Sequence, residues 1–133
     1  MESVETVAIP EAARSLLRGL SNYDVEEVAA GLSEDARLTV SSRACLIGKS
    51  RVRRALLRAL GSILSVHLEP VAVWMRRNLA IIEADVDCER CDRAHVRFPA
   101  TLVLYFEDGL ISEIRLSTYE PALVGNFAGF TLA

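Results

Sequence analysis

The chain has 133 residues, 51% of them apolar and 25% charged, with a formal net charge of −3. That is the size and balance of one globular domain with a core of its own. The negative net charge argues against a nucleic-acid partner, and no apolar run reaches the ~18 residues of a membrane span.

Residues 1–9 read as a leader. Pro10 suits the first turn of a helix, where its missing N–H costs nothing. Ala13, Leu16, Leu17 and Leu20 then recur at helical spacing, which predicts a first helix. Ser21-Asn22-Tyr23 ends it. Asp24 with Glu27 three residues on has the spacing of a capping box, and Val25, Val28, Ala29 and Leu32 form the stripe of a short second helix. A strand is predicted near 36–42. Gly48 closes a loop, and Ser50 is a good N-cap for a third helix striped by Val52, Ala55, Leu56, Ala59 and Leu60. Gly61 terminates it.

Beyond Gly61 the apolar period changes from about 3.6 to 2. Strands are predicted at 64–76, 79–88, 95–106 and 110–119. The breaks fall at Arg77-Asn78, at 89–93 and at Asp108-Gly109, the last a strong hairpin signal. Helices followed by antiparallel strands give an α+β fold: three N-terminal helices on a strongly curved antiparallel sheet, a cone with an internal pocket. A pocket makes a small-molecule site the leading functional reading.

The strand faces are legible. On 79–88 the even positions are Ala80, Ile82, Ala84, Val86 and Cys88, and the odd ones include Glu83, Asp85 and Asp87. On 95–106 the even positions are wholly apolar, from Val96 to Phe106. A symmetric hairpin would set Asp85 opposite Arg97 and Asp87 opposite His95, as cross-strand charge pairs. Two assignments remain open. Either the odd face lines the pocket, or the even face lies under the helices and the carboxylates form a solvated face.

Three segments carry a family resemblance: LLRGLSNYDVEEVAAGLSEDARL, IGKSRVRRALL and LVLYFEDGLISEIRLSTYEPAL. Together they span about residues 10–123. In order and spacing they resemble the superfamily of SnoaL-like polyketide cyclases, ketosteroid isomerases and limonene epoxide hydrolases, which shares the nuclear-transport-factor fold. The resemblance implies a bent sheet wrapped round a pocket, and a homodimer formed through the sheet. It also implies an apolar polyketide-, terpene- or steroid-like ligand, with isomerisation, cyclisation or epoxide opening as the chemistry. The family's Arg-x-Asp falls on Glu83 and Asp85, so the Asp is kept and the Arg is not. Arg115 is present on the last strand, but Tyr119 stands where the family has a second carboxylate. The family's polar groups on the first strand fall at Leu38 and Val40.

The candidate catalytic residues are therefore Asp85 as acid or base, Glu83 as its coupled neighbour, and Tyr119 as a hydrogen-bond donor to a developing negative charge. Leu38, Val40, Arg115 and Phe127 are the candidate substrate-binding residues. The alternative is a non-catalytic ligand-binding or dimerisation module of the same fold. Cys88-x2-Cys91-x3-His95 supplies three soft ligands and lacks a fourth, so neither a metal nor a cofactor is expected. The Arg51, Arg54 and Arg58 face of the third helix reads as solvated. An odd cysteine count (Cys45, Cys88, Cys91), with no secretion signal in MESVETVAIPEAARS, points to free thiols and the cytoplasm. The segment 124–133 is almost free of polar residues, and it is expected to act as a lid or a dimer strap.

Overall fold

The computed structural model describes residues 9–41, 44–61 and 63–118. The elements run α1 (Glu11–Ser21), α2 (Val25–Ala30), β1 (Leu32–Val40), β2 (Ala44–Ile47), α3 (Lys49–Gly61), β3 (Ile63–Arg76), β4 (Leu79–Arg90), β5 (His95–Glu107) and β6 (Leu110–Thr118). Three helices precede a long meander, as the change of period predicts. The six strands form one curved sheet in the order β2-β1-β6-β5-β4-β3.

The helices form for local reasons. Asp24 accepts a hydrogen bond from the Glu27 amide at 3.1 Å, so the predicted cap is made. Arg18 bridges Glu11 and Glu27, each at 2.7 Å, and ties α1 to α2. Gly19 allows the two helices to meet. A Cβ there would lie 2.7 Å from the Asp24 carbonyl oxygen and overlap the Val28 side chain. At Asp108-Gly109 both residues have positive φ (54° and 80°), which a two-residue hairpin of type I′ requires.

Four details depart from the expectations. β1 begins at Leu32, which belongs to the strand and not to the second helix. β2 was not predicted; it is four residues long and pairs only with β1. β1 runs parallel to β6, so the sheet is antiparallel except at that pair. Finally, α3 starts at Lys49, which places Ser50 inside its first turn.

The β4–β5 hairpin is also shifted by two residues. Asp85 lies opposite Pro99, Asp87 opposite Arg97 and Glu89 opposite His95. The cause is a tighter turn than a symmetric closure about Cys91 assumes. The Arg90 amide bonds the Ala94 carbonyl at 2.9 Å, leaving three loop residues, with Arg93 at φ 72°. His95 still reaches Asp87, on the diagonal.

The main core lies between the helices and the inner face of the sheet, around Leu16, Val28, Val52, Ile82, Leu104 and Ile111. A second, smaller cluster of Val86, Cys88, Phe98 and Ala100 sits farther along β4 and β5. Among the described residues no polar or charged side chain is buried. No helix among them is long and apolar enough to cross a membrane.

Candidate functional site

A cavity of about 100 Å³ opens on the inner face of the sheet. Its roof comes from the last turns of two helices, through Leu16 and Leu20 of α1 and Leu56 and Leu60 of α3. Its floor is the even face of β4 and β5: Ala84, Val86 and Cys88, then Phe98, Ala100 and Leu102. Leu38 closes one side, with Ile114 and Leu116 of β6, and Val66 and Leu68 of β3 close the other. Strand alternation alone selects these residues, because successive side chains point to opposite faces.

Among the described residues the lining is hydrocarbon apart from the Cys88 thiol, and Cys88 is 6% exposed. A thiol is a weak hydrogen-bonding group. Water needs two to four polar partners to be held in a cavity, and the described lining offers it no such set. An apolar occupant would fill space that the described side chains leave open.

The sequence-predicted residues separate sharply around this cavity. Leu38 lines it. Val40 is fully buried in the main core and does not line the cavity. Glu83 and Asp85 correct the expectation of a polar pocket face. Both are exposed on the outer side of the sheet, because the apolar even face is the one the helices cover. Neither reaches the cavity, and Asp85 and Glu83 are not brought together with Leu38. Arg115 is also on the outer face. Its guanidinium bonds Glu113 at 2.7 Å and stacks 5.2 Å from the centre of the Tyr105 ring. Tyr119, Phe127 and the segment 124–133 lie outside the described residues.

The other sequence motifs are placed too. His67 bonds Glu69 at 3.2 Å on exposed β3. Cys91 is exposed, with its sulfur 3.9 Å from the Gly61 carbonyl. Among the described residues no cluster of His, Cys, Asp and Glu suits a metal ion.

Two features escaped the sequence reading. The first is the wall of Val66, Leu68, Ala84, Phe98 and Ala100. Its signal was present, since a face without a single polar residue is the face a protein buries. The second is Tyr23, in the left-handed region at φ 58°. Its hydroxyl donates to the Ile63 carbonyl at 3.1 Å and so ties the α1–α2 turn to the start of β3, beside the cavity. Burial, followed by the nearby Cys88 and Cys91 thiols, raises the Tyr23 pKa above its ordinary value. No sequence pattern marks such a contact between residues 40 apart.

The outer face has its own order. Trp74, Ile81, Val103 and Arg115 follow one another across β3, β4, β5 and β6. Arg76, Leu79, Tyr105 and Glu113 make the next row on one side; on the other Glu83 and then Asp85 follow along β4. Trp74 is 40% exposed.

The arrangement of three helices against a bent sheet also occurs in proteins of known structure. A protein from Catenulispora acidiphila DSM 44928 with a ketosteroid isomerase-like fold, solved with trimethylamine, superposes with a TM-score of 0.77 at 14% identity, over 92% of this chain and 95% of that one. An LEH-like epoxide hydrolase of M. tuberculosis gives 0.73 at 20% identity, over 92% and 87%. A provisionally assigned polyketide cyclase of Xanthomonas campestris pv. campestris gives 0.77 at 14% identity, over 88% and 94%. At these identities the likeness establishes the fold. No curated protein matches the chain in sequence. The SnoaL-like domain model does match it, over residues 13–114, from α1 to β6. On that match, the chain belongs to the SnoaL-like domain family.

Proposed function

We propose that this is a small-molecule pocket protein whose ligand is apolar and occupies the inner-face cavity, and that the cavity binds its ligand without transforming it. One observation carries the reading: among the described residues the lining offers no carboxylate, imidazole, amine or hydroxyl. General acid–base catalysis needs a proton donor or acceptor within hydrogen-bond reach of the reacting atom. Fold alone does not bring the chemistry of relatives to this chain. Native mass spectrometry of the purified protein, followed by solvent extraction, tests the reading. An apolar compound released on denaturation supports it; a chain that always emerges empty counts against it.

The second reading is acid–base chemistry on the same ligand: isomerisation, cyclisation or epoxide opening of a polyketide-, terpene- or steroid-like compound. Relatives named as a cyclase and an epoxide hydrolase favour it. With Asp85 and Glu83 on the outer face, the proton-transfer group would have to come from outside the described residues, and Tyr119 is the candidate. Turnover of an epoxide or enone that is lost in Tyr119→Phe and kept in Asp85→Asn would establish this reading over the first.

The outer face is our proposed contact for a second copy of the chain. Its apolar row of Trp74, Ile81 and Val103 ends at Arg115 and is flanked by Arg76 on one side and by Glu83 and Asp85 on the other. A two-fold axis across the strands would lay Arg76 of each copy over the other's acidic flank. The cytoplasm is the proposed location, on the three free thiols.

A further inference from the structure

We infer that the cavity selects a single compact hydrocarbon ring that carries no hydrogen-bonding group, a molecule about the size of cyclohexane or benzene. This rests on the reading of the cavity as a ligand site and narrows the ligand of that site.

Size is the first argument. The cavity holds about 100 Å³. An engineered, leucine-lined cavity of about 150 Å³ in an unrelated protein is known to stay dry and to take up benzene or xenon. Sites for drug-sized ligands occupy roughly 300–1,000 Å³. A steroid or a fused polyketide exceeds this cavity severalfold. The floor does not give way easily, because Ala84 and Ala100 sit opposite each other in strands that are paired on both sides.

The chemistry of the wall is the second argument. A hydroxyl or carbonyl held against the described lining would leave water and meet Leu38, Ala84, Phe98, Leu102 and their like. The floor strands are each paired on both sides within the sheet. The Cys88 thiol is too weak a partner to replace water. Burying one unpaired polar group costs enough to weaken binding about tenfold or more. Selectivity here comes from what the wall lacks. A ring also binds better than an open chain of equal carbon count, since it has fewer rotors to freeze.

The test titrates the full chain with cyclohexane, cyclohexanol and decalin, following the methyl resonances of Leu38 and Leu102 and the shift in Tm. The expected result is that cyclohexane moves those methyls and raises Tm. Cyclohexanol binds at least tenfold more weakly, and the two-ring decalin does not bind. Ala100→Leu and Ala84→Leu fill the cavity from opposite strands, so either one that folds should lose cyclohexane. If cyclohexanol binds as tightly as cyclohexane, or decalin binds best, the inference is overturned and the pocket reading stands. If none of the three moves the methyls, both are overturned.

Discussion

Ala84 and Asp85 are neighbours in the chain and lie on opposite sides of one sheet. The Ala84 methyl lines the cavity, while the Asp85 carboxylate stands in solvent opposite Pro99. That single step of strand alternation separates the two readings of this protein. A register in which Asp85 faced inward would place a charge among hydrocarbons, and an isolated buried carboxylate is far costlier than a buried methyl. The helices cover the face that costs least to bury.

Asp85→Asn should therefore leave ligand affinity unchanged within about twofold and stability within about 0.5 kcal/mol, as exposed substitutions ordinarily do. Calorimetric titration and a melting curve check both. A tenfold loss of affinity would mean that Asp85 reaches the ligand.

Leu38→Ala should have two effects at once. Removing a buried leucine side chain costs about 2–5 kcal/mol, and it enlarges the cavity at a wall residue. The variant should melt earlier and should bind decalin, which the native chain rejects. A variant that loses stability but keeps the native size preference would place Leu38 in the core only.

Tyr23→Phe should cost about 0.5–1.5 kcal/mol near neutral pH, through the lost hydrogen bond to Ile63. The pH dependence follows from the raised phenol pKa, caused first by burial and then by the two thiols. A phenol raised in the folded state binds its proton more tightly there. Its contribution is complete below the unfolded value of about 10 and is lost as pH rises through the higher folded value. Urea melts from pH 8 to 11 should show a shallower alkaline decline in the variant. Parallel declines would contradict the assignment.

Ile81→Arg tests the outer face. It places a charge in the middle of the Trp74, Ile81, Val103 row and should dissociate a dimer formed there while leaving the monomer fold intact. Sedimentation velocity on both chains, with Trp74 fluorescence as a second readout, checks it. A native chain that sediments as a monomer at 100 μM would remove the proposal.

Much of the architecture was legible because it is local. The helical stripes of α1 and α3, the Asp24 cap and the Asp108-Gly109 turn each depend on residues within a few positions of one another. What the sequence hid is non-local. β2 has four residues and exists by pairing with β1, and the parallel β1–β6 pair joins segments some eighty residues apart. The β4–β5 register turned on one loop hydrogen bond, from Arg90 to Ala94. At the site, composition gave both faces of β4 correctly. Which face the helices would cover was decided by the absence of any polar residue at 80, 82, 84, 86 and 88. The residues chosen as chemically interesting, Glu83, Asp85 and Arg115, were polar because they are solvated.

The central claim is that the working surface of this chain is the apolar cavity beneath α1 and α3. Diffraction from crystals of the full chain under xenon pressure tests it most directly, since xenon enters apolar cavities and reports their position. The account predicts a xenon peak in contact with Leu38, Ala84, Phe98 and Leu116. A cavity filled by protein side chains, or xenon bound only elsewhere, would contradict it.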